Sequence, residues 1–306
     1  MNNKYEKKKF LRTYLANHGW QEIITYSLIS SEMRKDFLSP LVENDCHRLL
    51  MPKNEYHEYY RQTLVPSHLK ALKHNLVYGN KNLLFFEISS IYTPSLKEEL
   101  LILSGVGNFF NQLLHKLVQK IDFYWLKGTL ENIFELWQIN SEISFSPTSL
   151  NHLSSAQSAE ISLGKEKIGF LGLIHPQILQ KYQISNPVLV TQISLTKVFD
   201  YPSKFHYQPV SNFPSSEKDL SFIFPENINY SEVIREIKKT AGQNLKEVKV
   251  FDIYQSAELE KKQKKSVGFR LTFQSPIKTL ESKEIERMLE RIVEKVEWKF
   301  TAKLRV

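Results

Sequence analysis

The chain has 306 residues, 42% hydrophobic and 24% charged, enough apolar matter for a core, which rules out wholesale disorder. Ten glycines and one cysteine, Cys46, exclude a chemistry of several glycine-rich phosphate loops, an internal disulfide and a multi-cysteine zinc site. The net charge is +8, with 21 basic against 18 acidic residues over 1–200 and 20 against 15 over 201–306. That balance is compatible with a nucleic-acid partner, and equally with a surface of solvated lysines.

The basic start, residues 1–9, is followed by no apolar signal core, and the longest apolar stretch, residues 100–110, falls far short of a membrane span. The expectation is a chain of the reducing cytoplasm with no membrane partner. In chain order, residues 4–18 pattern as a helix and 22–29 as a strand. Residues 65–78 place Leu69, Leu72 and Leu76 on one helical face. Residues 83–91 and 100–106 are strands, and 122–137 form a helix rich in Phe123, Trp125, Phe134 and Trp137. Residues 158–163 and 167–174 read as a hairpin turning at Gly164-Lys165. His175-Pro176 opens a short helix, and 188–195 is a further strand. Strands interspersed with helices, without regular βαβ spacing, predict an α+β domain on an antiparallel sheet.

Pro202, Pro209 and Pro214 with several serines mark a connector over 199–216. It divides the chain into 1–200 and 201–306. Phe199, Tyr201, Phe205 and Tyr207 suggest that the connector packs onto a domain.

The second part parses as β-α-β-β-α-β, a ferredoxin-like unit. Leu220, Phe222 and Phe224 alternate in its first strand. A helix over 230–241 can be capped by Asn229 or Ser231 and ended by Gly242. Residues 247–254 form a second strand, and Val267, Phe269, Leu271 and Phe273 alternate in a third. A helix over 281–298 can be capped by Thr279, with Glu281 suiting its positive end. Ala302, Leu304 and Val306 alternate in the last strand. Two helices then cover one sheet face, and the opposite face collects Asp219, Ser221, Arg270, Thr272, Lys303 and Arg305, polar and mostly basic. RNA-binding modules use such a face, with aromatics for stacking. The candidate RNA-contacting residues are Lys218, Tyr254, Lys261, Lys262, Lys264, Lys265, Arg270, Lys303 and Arg305. The same residues also suit plainer roles: Asp219–Arg270 a cross-strand ion pair, the lysine run a solvated hairpin tip, Tyr254 half-buried packing.

The second part resembles the anticodon-binding module that ends the phenylalanyl-tRNA synthetase β-subunit family. The resemblance rests on Phe213-Pro214, Asp219-Leu220, Phe251-Asp252-Ile253-Tyr254, Lys265-Ser266, Phe269, Thr279-Leu280 and Leu304-Arg305. Residues 1–200 resemble the catalytic-like domain that precedes the module, through His18-Gly19-Trp20-Gln21-Glu22, Tyr26-Ser27, Arg61 to Leu64, Pro66 and Asn75. Further matches are 84–88, Lys127-Gly128, and Gly172 through His175-Pro176. The fold it implies is a class II synthetase-like antiparallel-sheet domain followed by a βαββαβ domain. Glu217-Lys218 stands where the family carries a basic pair. Nothing resembles the family's N-terminal RNA-binding, editing or small helical regions, which leaves a fragment or a shortened subunit open.

A class II active site needs arginines on its central strands and a glycine-rich strand–helix motif ending in arginine. Here residues 79–115 and 164–176 hold no arginine and no Gly-x-Gly-x-Gly is present, so the domain is expected to be non-catalytic. The sequence also lacks His-Glu-x-x-His and Gly-x-Ser-x-Gly. Cys46-His47 is not a catalytic dyad by adjacency, and His175 reads as a turn and cap residue. No catalytic residue, metal ligand or cofactor is expected in this chain. The resemblance implies that ATP and Mg²⁺ belong to the holoenzyme, that the partners are a catalytic α subunit in an α2β2 assembly and tRNA-Phe, and that the chain supports the ligase. An orphan RNA-binding scaffold and, less consistent with the missing arginines, a single-chain synthetase are the alternatives.

Overall fold

The computed structural model describes residues 4–37, 47–92, 97–112, 117–139, 142–202 and 210–305. Cys46, Phe205, Tyr207 and Val306 lie outside them. The chain divides into two compact units, residues 1–205 and 206–306. Among the described residues no helix is long and apolar enough to cross a membrane.

The first unit runs α1 (Lys4–Asn17), β1 (Gln21–Glu22), β2 (Leu28–Ile29), α2 (Ser31–Lys35), β3 (Tyr59–Tyr60), α3 (Val65–Val77), β4 (Leu83–Tyr92) and β5 (Lys97–Val106). It continues with β6 (Asn108–Gln112), β7 (Leu117–Lys120), α4 (Phe123–Leu136), β8 (Ile143–Pro147) and β9 (Leu153–Leu163). It ends with β10 (Glu166–Ile174), α5 (Pro176–Lys181), β11 (Val188–Ser194) and α6 (Leu195–Asp200). Seven strands form one sheet in the order β1-β4-β5-β11-β10-β9-β8. Every pairing in it is antiparallel except β1 with β4.

Both faces of this sheet are covered, which is why its central strands read as unbroken apolar runs. Leu101 and Leu103 of β5 join α1 and α4 in one core, through Leu11, Leu15, Leu126, Leu130 and Phe134. Leu100 and Ile102 of the same strand face the other way, toward Leu69 and Leu72 of α3 and Ile178 and Leu179 of α5. His175 caps α5 by accepting from the Gln177 N–H at 3.3 Å. Phe199 is buried and Tyr201 packs against the first core.

The strand expected over 22–29 is split. Only Gln21 and Glu22 pair with β4. The chain then leaves that edge, Thr25 hydrogen-bonds the Glu87 side chain, and Leu28–Ile29 pairs with β3 in a separate ribbon. The short α2 that follows is capped by Ser30, whose hydroxyl accepts from the Met33 N–H.

The second unit runs β12 (Ser216–Pro225), α7 (Tyr230–Ala241), β13 (Leu245–Tyr254), α8 (Ala257–Lys261), β14 (Lys264–Phe273), α9 (Ser282–Phe300) and β15 (Lys303–Leu304). The sheet order is β13-β14-β12-β15, as a split βαβ unit requires. Phe222, Phe224, Val267, Phe269, Leu271 and Phe273 point to the helix side, against Val233 and Ile237 of α7 and Ile285, Ile292 and Val296 of α9. Asn229 caps α7, and Gly242, at φ +69°, ends it. The cap of α9 differs from expectation: Glu281, not Thr279, occupies it. Its carboxylate accepts from the backbone of Glu284, while the Glu284 carboxylate accepts from the Glu281 N–H at 3.1 Å. This reciprocal box satisfies two orphan donors at once, which a single hydroxyl does not.

Candidate nucleic-acid interface

With α7 and α9 packed on one side of β13-β14-β12-β15, the alternate residues of these strands point to the other face. On β14 the residues pointing there are Ser266, Gly268, Arg270 and Thr272. Their antiparallel neighbours on β12 are Ile223, Ser221, Asp219 and Glu217. On β13 a bulge at Phe251 separates the pairs Val250–Phe269 and Asp252–Gly268. The extra residue swings the Phe251 ring onto Gly268, where a Cβ would meet it at 2.8 Å. A glycine in an otherwise apolar strand thus makes room for an aromatic ring on the outside of the sheet.

Two aromatic rings stand on this face, each with a guanidinium across it. Phe251 is 49% exposed and Arg270 lies 5.3 Å from its centroid. Tyr254 is 45% exposed and Arg305 lies 4.8 Å from its centroid. Arg305 also donates to the Ser266 hydroxyl at 3.4 Å, on the residue paired with Tyr254. In the sequence Phe251 stands only within the Phe251-Asp252-Ile253-Tyr254 motif. The signals for its role are the break in alternation over 250–254 and Gly268 opposite.

The predicted residues divide accordingly. Tyr254, Arg270 and Arg305 come together, Lys303 projects on the same side opposite Ile223, and Lys264 shares the face at the start of β14. Lys218 does not belong to it: it pairs with Leu271, whose side chain is in the core, so it points to the helix side. Lys265 is likewise on the helix side, paired with Phe224, with its ammonium 4.7 Å from the Tyr230 ring. The lysine run is not one hairpin tip. Lys261 ends α8, Lys262 caps it, and Lys264 and Lys265 are already in β14.

Nor is the face mostly basic. Asp219 accepts from Arg270 through both oxygens, at 2.9 and 2.8 Å. Those hydrogen bonds hold the Asp219 carboxyl below its usual range and push the Arg270 guanidinium up. Glu217 stands 4.0 Å from the same arginine, and Lys249 pairs with Glu247 at 3.0 Å. The face offers stacking surface and nearly balanced charge.

A second polar cluster lies inside the first unit. Arg61, fully buried, donates to Glu87 at 2.7 Å and Ser89 at 2.8 Å. Thr25 donates to Glu87 at 2.6 Å, and His68 Nε2 stands 3.4 Å from the same carboxylate. Ser104 meets His68 Nδ1 at 2.7 Å. Burial pushes the Glu87 carboxyl up, but His68, Arg61 and Thr25 together hold it down to about 2. Burial also lowers His68, leaving it neutral. A guanidinium therefore does reach β4, from the segment before α3 rather than from residues 79–115. Its charge is committed to Glu87.

Residues 1–195 match the sequence model of the phenylalanyl tRNA synthetase beta chain CLM domain, and residues 211–305 that of the ferredoxin-fold anticodon binding domain. The chain belongs to the phenylalanyl-tRNA synthetase β-chain family. It is 31% identical to the phenylalanine–tRNA ligase beta subunit of Oceanobacillus iheyensis, over 96% of this chain and 37% of that protein. It is 30% identical to the subunit of the same name from Bacillus thuringiensis subsp. konkukian, over 98% of this chain and 38% of that protein. The chain thus spans under two-fifths of the length of these relatives. The chain is similar in fold to pyrrolysyl-tRNA synthetase from Desulfitobacterium hafniense, with a TM-score of 0.50 and 15% identity, over 64% of this chain and 68% of that one. In this β-chain family member, the exposed Phe251 and Tyr254 lie within the region that matches the anticodon-binding module.

Proposed function

We propose that this chain is the part of a phenylalanine–tRNA ligase β subunit that holds the anticodon region of tRNA-Phe and supports the catalytic α subunit. The observation that carries the reading is the pair of half-exposed rings, Phe251 and Tyr254, each with an arginine across it on the sheet face opposite the helices of the anticodon-type module. Unpaired loop bases stack on such rings, and arginines beside them meet phosphate or base edges. Because charge on the face is nearly balanced, stacking supplies most of the affinity.

In this reading the first unit is a partner rather than an enzyme. Its buried guanidinium cannot meet a phosphate without leaving Glu87 unpaired in the core. Among the described residues no group of three His, Cys, Asp or Glu is placed to hold a metal ion. In the same reading ATP and Mg²⁺ act at the α subunit, in an α2β2 ligase of the cytoplasm that joins phenylalanine to its tRNA.

The test is titration of the full chain with a tRNA-Phe anticodon stem-loop. Tyr254→Ala and Phe251→Ala are each expected to weaken binding by roughly 1–3 kcal/mol, with circular dichroism unchanged. Co-purification with the α subunit, followed by tRNA charging, checks the other half. Unaltered RNA affinity in both variants would remove the stacking reading.

A further inference from the structure

Two cavities of the first unit have no part in the interface above. One, of about 310 Å³, is floored by the buried Ile29 and Met33 and walled by Tyr26, Tyr56 and His57. Tyr26 is 77% exposed, with its ring 5.2 Å from that of His57. The other, of about 270 Å³, shares Met33, Tyr56 and Lys70 with the first and adds Lys73 and Lys181. The two therefore meet at Lys70.

Three side chains bordering these cavities are Ser67, Lys70 and Tyr26. Ser67 is only 8% exposed and lines the first cavity. Lys70 is exposed at the junction and forms no ion pair among the described residues. Tyr26 presents a ring to solvent with only one side against His57.

The charge of the second cavity limits what can enter. Asp36 accepts from Lys181 at 2.6 Å, Lys73 donates to Gln183 at 2.7 Å, and Glu32 lines the same wall. Three cations against two carboxylates suit a single anionic group and disfavour several. The first cavity offers a flat aromatic wall, an apolar floor and one buried hydroxyl, the complement of a ring with polar edges.

We propose that the joined cavities bind one nucleotide, its base against Tyr26 and His57 with an edge at Ser67, and its single phosphate at Lys70. The nucleotide comes either as a free mononucleotide or as one residue of an RNA strand. The site is independent of the sheet face of the second unit, and neither reading needs the other.

The test uses the full chain carrying Phe251→Ala and Tyr254→Ala, so that the sheet face does not contribute. AMP, GMP, CMP and UMP are titrated by calorimetry, beside adenosine and inorganic phosphate. Saturation is expected below about 1 mM for at least one mononucleotide, and weaker binding for adenosine and for phosphate alone. Tyr26→Ala and Lys70→Ala, both exposed, should each weaken it about tenfold without moving the melting temperature. Ser67→Ala should change the order of preference among the four bases. A pentanucleotide that binds about tenfold tighter than the mononucleotide, and still depends on Tyr26, identifies an RNA strand as the source. Equal affinity identifies the free nucleotide. No saturation below about 5 mM, phosphate binding as well as the nucleotide, or affinity untouched in both Tyr26→Ala and Lys70→Ala would overturn the proposal.

Discussion

Each unit of this molecule has an arginine–carboxylate pair on its sheet, and the two pairs live in opposite surroundings. Arg61 and Glu87 meet at 2.7 Å with side chains 0% and 2% exposed, whereas Arg270 and Asp219 meet at 2.8 Å with side chains 45% and 42% exposed. The lengths differ by only 0.1 Å, so distance does not separate them; the solvent does. Inside, each charge depends on the other, because neither has water to fall back on. Outside, each partner keeps its hydration, so the pair positions the guanidinium over Phe251 without being needed for folding.

The sharpest way to break the comparison is to remove one partner from each pair. Arg61→Met leaves the Glu87 carboxylate buried with only His68 and Thr25 beside it, and is expected to cost about 3–5 kcal/mol in urea unfolding. A loss no greater than that of a surface substitution would show that the network relaxes around the gap. Acid titration probes the same cluster. The Glu87 carboxyl is held at about 2 in the folded chain against an ordinary 4.5, so the unfolded state binds the proton first. The stability it contributes is complete above about pH 5 and fades as the pH falls toward 2, by roughly 3 kcal/mol in full. Glu87→Gln should flatten that part of the stability–pH curve, and Asp219→Asn should leave it almost unchanged.

The next effect concerns the aromatic ring that the bulge exposes. Gly268→Ala puts a Cβ 2.8 Å from the Phe251 ring, and the ring, being the free end of an exposed side chain, swings away. Stability is expected to change by less than about 1 kcal/mol, while affinity for the anticodon stem-loop falls as far as it does in Phe251→Ala. An unfolded product would mean that the ring is a structural plug, and unchanged affinity would mean that RNA does not stack there.

The second unit was legible because its strands are half-buried. Alternation in Phe222–Phe224 and Val267–Phe273 assigns the faces, and helical spacing in α7 and α9 completes the topology. The same logic stopped at Phe251, since a bulge breaks the period on which face assignment rests. It also misplaced Lys218, which is exposed, and Lys265, which is half-buried; both are basic but point to the helix side, with Leu271 and Phe224 as neighbours. In the first unit, strands buried on both faces have no alternation to read. The Arg61–Glu87–His68 cluster was invisible for a different reason. Its members come from 26 and 36 residues apart along the chain, on Arg61 with Glu87 and on His68 with Ser104, and only the fold brings them together.

The smallest effects in stability are those of the exposed pair, and they carry the most about function. Arg270→Ala, Asp219→Ala and the double variant are expected to leave the denaturation midpoint unmoved, since both side chains are open to water. On RNA they should differ. Arg270→Ala removes the cation beside Phe251 and weakens binding. Asp219→Ala releases the guanidinium from its two carboxylate bonds, leaving it free to meet a phosphate. Affinity should then rise at low salt, and the slope of log K against log salt should steepen by about 0.7, the increment for one added phosphate contact on a single strand. If Asp219→Ala instead weakens binding as much as Arg270→Ala, and the double variant adds nothing, the two residues act on RNA as one unit. The carboxylate is then part of the recognition surface, accepting from a base edge while the arginine holds it in place.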